Sequence, residues 1–202
     1  MGIRERRERE KAELRQRILD AAQHLITEEG FAAMTMRRLA EQIEYSPASI
    51  YLHFKSREEI ARELCELGCG KLLSKMQKAV AGKDAAGRIH ALGQAYVRFG
   101  LENPETYRLI FMEDEAYMAA AFGNQSEKSA ANQAGDLLLG AVQEYLKSIR
   151  RRQKAQEVVQ LLWATLHGIV SLHLSCTGFQ GAPPEELAAL ATGLVVKGLA
   201  GG

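Results

Sequence analysis

Ser46 followed by Pro47 leaves the local chain few conformations. A serine oxygen can accept from the free amides at a helix start, and proline at the first helical position loses nothing by lacking its own amide hydrogen. A short helix is therefore predicted from Pro47 to about Phe54, with Ile50 and Phe54 four apart on one face. Three or four residues upstream ends another short segment, Met36 to Gln42, which Thr35 can cap and whose Leu39 and Ala40, with Ile43 beyond, are apolar. Before that, Ile18, Ala21, Ala22, Leu25 and Ile26 recur at helical spacing after Leu14 until Gly30 stops the run. Ser56 and Glu59 have the spacing of a capping box for a fourth helix running toward Ala79. Two short helices across a tight turn, supported by a third, make a helix-turn-helix unit.

The rest reads as helix as well: Ala85 to Leu101, Pro104 to about Met118, Ala134 to Ser148, Ala155 to Ser175 and Glu185 to Leu199. Breaks are expected at Gly82, Asn103, Gly123 to Ser126 and Gly178 to Pro184, and no alternating strand pattern or internal repeat is visible. The expected fold class is all-α. With 202 residues, 47% of them apolar and 25% charged, the chain can bury a core without a metal or disulfide staple. Cys65, Cys69 and Cys176 cannot all pair within the chain, and the basic start is not followed by an apolar leader segment. A reducing, cytoplasmic compartment is therefore expected. Val158 to Pro184 carries no formal charge, but Gln160, Thr165, His167, Ser171, His173 and Ser175 interrupt it, which favours a buried helix or subunit interface over a membrane span.

A formal charge of +1 excludes a globally basic nucleic-acid binder of the histone kind while leaving room for a local basic face. The excess lies at the start, where residues 1–17 hold seven basic and four acidic side chains. Arg4, Arg6, Arg7, Arg9 and Lys11 have the composition of an arm that follows phosphates, but interleaved Glu5, Glu8 and Glu10 favour a disordered, solvated tail.

The stretch FAAMTMRRLAEQIEYSPASIYLHFKSREEIARELCE, Phe31 to Glu66, resembles the DNA-binding region of the tetracycline-repressor (TetR) family of transcription regulators. Thr35, Leu39, Ala40, Ser46, Ile50, Tyr51, His53, Phe54 and Lys55 carry the resemblance together. The family usually has glycine in the turn where this chain has Glu44, and a small or aliphatic residue where it has Tyr45. NPETYRLIF (Asn103 to Phe111) and WATLHG (Trp163 to Gly168) resemble the effector domain of one subgroup. The resemblance implies a DNA-binding region over 1–60 with a basic tail and a larger helical effector-binding and dimerisation domain over 61–202. It also implies a homodimer on double-stranded operator DNA, released by a small-molecule effector.

The residues expected at DNA are Thr35, Pro47, Ala48, Ser49, Tyr51, His53 and Lys55. The first turn of a recognition helix lies nearest the base edges, so Pro47, Ala48 and Ser49 are expected to meet thymine methyls or make a hydroxyl contact. Tyr51, His53, Lys55 and the amides opening the second and fourth helices are expected at phosphates. Phe31, Leu39, Ile43, Ile50 and Phe54 are expected to pack this region. The candidate effector residues are Tyr96, Phe99, Tyr107, Phe111, Trp163 and His167, from a larger pool of aromatic, sulfur and polar side chains for which core packing is the favoured explanation. Trp163 and His167 lie four apart, with Gly168 allowing close approach. No compact metal motif, phosphate loop or nucleophile–base–acid set is present, so neither a cofactor nor an enzyme is expected. The competing reading is a helical ligand-binding enzyme or binding protein with a vestigial DNA-binding region.

Overall fold

The computed structural model describes residues 2–123, 126, 128–176 and 181–201. Its elements are α1 (Ile3–Glu29), a 3-10 turn (Phe31–Ala33), α2 (Met36–Gln42), α3 (Pro47–Tyr51), α4 (Arg57–Val80), α5 (Ala85–Glu102), α6 (Pro104–Phe111), α7 (Glu115–Phe122), α8 (Ala130–Ser148), α9 (Ala155–Ser175) and α10 (Pro184–Gly201). No strand occurs among the described residues. The expected breaks at 124–125 and 178–180 lie outside the described residues.

Most boundaries follow from side chains that satisfy the first free amides of a helix. Thr35 accepts from the Arg38 amide, Ser46 from Ser49, Asp84 from Gly87, Asp114 from Tyr117 and Ser129 from Asn132. Two of these caps correct the expected segments. Asp114 opens a new helix, so the single helix expected from Pro104 to Met118 is two, α6 and α7. Ser129 starts α8 four residues before Ala134. The Ser56–Glu59 box is also modified: Glu59 donates its amide to the Ser56 hydroxyl at 3.3 Å, while its carboxylate takes the amide of Lys55 at 2.6 Å.

The start of the chain is a further correction. The disordered tail expected there is helical from Ile3, continuous with α1. The glutamates that argued against a phosphate-tracking arm hold the helix together. Arg4 pairs with Glu8, Arg6 with Glu10 and Arg9 with Glu13, each one turn apart. Pairs at this spacing support a helix that is already anchored at its other end.

The chain forms two compact units, Met1–Leu67 with Arg108–Gln125, and Gly68–Tyr107 with Ser126–Gly202. Helix α4 contributes to both, as does α6. In the first unit Ile18, Ala22, Ile26, Phe31, Met34, Leu39, Ile50, Phe54 and Ile60 are buried. Tyr117 of α7 packs edge-on against Phe31, with ring centres 5.4 Å apart.

In the second unit α5 packs against α8, α9 and α10. Its glycines permit the approach: a β-carbon at Gly93 would stand 2.6 Å from Thr192 Cγ2, and one at Gly100 would stand 2.5 Å from Val170 Cγ1 and 3.0 Å from the Tyr107 ring. Helix α9 is long and apolar enough to cross a membrane by length and composition alone. Its Leu162, Leu166 and Val170 are nevertheless buried in this unit. Val170 is β-branched and Tyr107 is hydrogen-bonded, so neither yields easily. Gly100→Ala is expected to lower stability by about 1–3 kcal/mol, the usual range for overpacking, read as a shifted denaturant midpoint at unchanged slope.

Candidate nucleic-acid interface and effector cluster

Helix α3 has five residues, too few to persist alone. Its inner side is Ile50, fully buried, followed by buried Phe54. Removing each from water contributes about 1.5–3 kcal/mol. Its start is held by the Ser46 side chain, whose oxygen accepts from the Ser49 amide at 3.2 Å and lies 2.9 Å from the Ser49 hydroxyl. Pro47 and Ala48 are left exposed, with Ser49 half-buried. Tyr51 is 55% exposed and Leu52 81%. Leu52 was not among the expected contacts; its place just after the helix, on the solvent side, is the signal that was available.

The turn between α2 and α3 needs one left-handed residue. Glu44 has φ +60°, a left-handed conformation that an L side chain adopts at a cost of roughly 1–2 kcal/mol. The turn is tied on both sides. The Tyr45 amide donates to the Ala40 carbonyl at 2.9 Å, and Arg17 donates to the Ile43 carbonyl at 3.0 Å while its guanidinium lies 5.2 Å from the Tyr45 ring centre.

Arg15 secures the segment after α3. It donates to the His53 carbonyl at 2.8 Å, pairs with Glu63 through two nitrogens, and stacks 4.1 Å over the Phe54 ring. Arg15 and Arg17 are thus spent on the fold rather than left for DNA, which the count of basic residues did not distinguish. Thr35 and Lys55 are exposed, and no carboxylate lies within 4 Å of the Lys55 ammonium among the described residues. The Lys55 amide is taken by the Glu59 carboxylate. His53 is half-buried; burial first, then the charges of Lys11 and Arg15, lower its pKa and keep the imidazole neutral near pH 7.

Four of the six candidate effector residues come together in the second unit. Tyr96 and Tyr107 share a hydrogen bond of 2.9 Å, and the Tyr107 hydroxyl lies 2.7 Å from His167 Nδ1. The Trp163 indole, which can only donate, lies near enough to the Tyr96 hydroxyl to oppose part of the rise that burial gives its pKa. The rings of Trp163 and His167 are 5.9 Å apart, those of Tyr107 and His167 5.7 Å. Phe99 is fully buried beside this group on α5, whereas Phe111 belongs to the first unit. Trp163 is 49% exposed. A cavity of about 510 Å³ in the same unit lies elsewhere, at Ile169, His173, Pro183, Pro184 and Leu187.

Burial pushes the Tyr96 hydroxyl up to about 12 and the Tyr107 hydroxyl higher still, so both keep their protons. Burial lowers the His167 pKa, so the imidazole that shares a hydrogen bond with the Tyr107 hydroxyl is neutral near pH 7. His53 and His167 both take up a proton more readily in the unfolded chain, whose histidines titrate near 6.5. Their contribution to stability is therefore complete above that value and is lost as pH falls below it. Thermal unfolding of the wild type is expected to move to lower temperature on acidification from pH 7 to 5, and His167→Gln to flatten that dependence.

Residues 18–64 match the family model for bacterial regulatory proteins of the tetR family, and residues 89–197 match the tetracyclin repressor-like C-terminal domain. The chain is 30% identical over 149 residues to the nucleoid occlusion factor SlmA of Vibrio vulnificus strain YJ016, covering 73% of this chain and 71% of that protein. It is 29% identical over 96 residues to the uncharacterized HTH-type transcriptional regulator YobS of Bacillus subtilis strain 168, covering 48% of this chain and half of YobS. A Rhodococcus sp. RHA1 protein of unknown function superposes with a TM-score of 0.71 at 26% identity over 93% of this chain and 95% of that one. The fold is shared too by the transcriptional regulator FadR of Bacillus subtilis, solved in complex with stearoyl-CoA, with a TM-score of 0.72 at 17% identity over 91% and 98% of the two chains. With both its helix-turn-helix region and its C-terminal domain matched, the chain belongs to the TetR family of DNA-binding transcriptional regulators.

Proposed function

We propose that the protein is a dimeric repressor that holds a roughly palindromic operator until a small molecule bound by its C-terminal domain, residues 61–202, releases it. The observation that carries the DNA half of this reading is α3 itself. A five-residue helix is capped and anchored from behind, yet presents Pro47, Ala48, Tyr51 and Leu52 to solvent. Small and apolar groups at a helix start suit thymine methyls in a major groove, with Ser49 supplying a hydroxyl. Thr35, Tyr51, His53 and Lys55 flank that surface as phosphate contacts, His53 as a neutral donor. Their role is to set position and register; the small groups of α3 read sequence.

Two recognition helices must meet successive major grooves, which requires a second copy. The exposed leucines of α9 and α10 favour the partner surface: Leu161 and Leu172 on one helix, Leu190 and Leu194 on the other. Helices α9 and α10 pack together, and a β-carbon at Gly168 would meet nothing within 4 Å in its own chain. Two such helices from each chain form a four-helix interface. Changing Leu161 and Leu194 together to glutamate is expected to convert a dimer into monomers in sedimentation, with loss of high-affinity operator binding.

The Trp163–Tyr96–Tyr107–His167 group supports the effector half. It is a set of uncharged hydrogen-bonding groups with one half-exposed end, suited to a ligand that exchanges for an internal hydrogen bond. The FadR fold relative with stearoyl-CoA supports a small-molecule effector for this chain. An effector favouring one conformation of the C-terminal domain lowers DNA affinity by its differential affinity for the two states. A bacterial regulator of this kind works in the cytoplasm.

Selection from a random duplex library at fixed salt is expected to return a palindrome with half-sites about one helical turn apart. Recovery of unrelated sequences, with no preference over bulk DNA in competition, overturns the proposal. On the selected duplex, Lys55→Ala is expected to reduce the log–log salt slope by about 2 for the dimer while leaving the preferred sequence unchanged.

A further inference from the structure

Followed toward its N-terminus, α1 changes character along a single face. Leu25, Ala22 and Ile18 lie on the buried side, and the same helical spacing continues through Lys11, Arg7 and Arg4. The stripe that is apolar against the core is thus cationic once the helix leaves it. The remaining faces of the extension carry Glu5, Glu10 and Glu13, and their positive partners are neutralised: Arg6 by Glu10 and Arg9 by Glu13. Arg4 is paired with Glu8. Arg7 and Lys11 are exposed, and among the described residues no carboxylate lies within 4 Å of either. They sit one turn apart on one face, as two unspent charges on a rigid rod.

The direction in which this face looks is fixed by its neighbours. One turn further along, Arg15 holds the His53 carbonyl, and the charge of Lys11 is felt at the His53 imidazole. Lys11 therefore adjoins the segment His53–Lys55, which the preceding proposal places against phosphate. From Glu13 back to Ile3 the helix continues for about 16 Å at 1.5 Å per residue, roughly the length of five base pairs.

Resting on the operator-binding reading, we infer that the N-terminal extension of α1 is a second DNA-binding element, whose Arg7 and Lys11 lie along the phosphates flanking each half-site. The occupant is duplex backbone because the face offers charge at one-turn spacing and nothing apolar to attract a protein. No base readout is involved, so the element adds affinity and lengthens the occupied site without altering the sequence preferred.

The test uses the duplex recovered by selection in two forms, one trimmed at the outer edges of the half-sites and one extended on both sides by a full helical turn. Wild-type protein is expected to bind the extended form at least tenfold more tightly. The R7Q/K11Q variant keeps exposed helix formers at both positions; it is expected to bind both forms alike, with a log–log salt slope on extended DNA smaller by about 3–4, the value for four phosphates in a dimer. R9Q, which removes a charge already paired on another face, is expected to keep the wild-type preference, and far-UV circular dichroism to report unchanged helix content. Wild-type slope and length preference in the double variant overturn this inference alone. A wild-type protein that retains no duplex overturns the operator reading with it.

Discussion

Burial of Ile50 and Phe54 is the constraint on which the DNA-binding surface depends. A helix as short as α3 does not outweigh the entropy of fixing its own backbone. The two side chains anchor it, the Ser46 cap starts it, and the contacts of Arg15 with the His53 carbonyl, Glu63 and the Phe54 ring fix the chain where it leaves. Every proposed DNA contact between Pro47 and Lys55 inherits its position from this small set. The outward side chains are thereby free of structural duty, which is what a surface that must vary its sequence preference requires.

The second unit is organised by closeness rather than by large side chains. Gly93 and Gly100 let α5 come within reach of Thr192, Leu166 and Val170, and this brings Tyr96 to Tyr107 and Tyr107 to His167. A hydrogen-bonded series of this kind is sensitive to any change in helix spacing, because each link is both a polar contact and a ring contact. The residues that pack the helices are here the same ones that the proposal assigns to the effector.

Capping chemistry made much of the architecture legible in advance. Thr35, Ser46 and Pro47 set helix starts at the residues where they are found, and the five expected packing residues of the DNA-binding region are all buried. Asp114 was equally informative as a cap, but the apolar residues on both sides of the acidic run Glu113–Glu115 masked it. The N-terminal extension was misread because composition treats Arg and Glu as opposing votes on charge, whereas a helix places residues four apart side by side and turns them into pairs. Meeting of Tyr96, Tyr107, Trp163 and His167 was beyond sequence, since three separate helices supply them. The structural employment of Arg15 and Arg17 was hidden for the same reason.

The left-handed Glu44 has a consequence for how the recognition helix is held. Glycine would relax there, so the protein holds its recognition element against a small standing tension, confined to one peptide unit and balanced by the ties from Arg17 and Tyr45. The acidic side chain also places a negative charge at the edge of a surface that approaches a polyanion. The strain is the same with and without DNA and so cancels in binding, whereas the charge opposes every duplex alike.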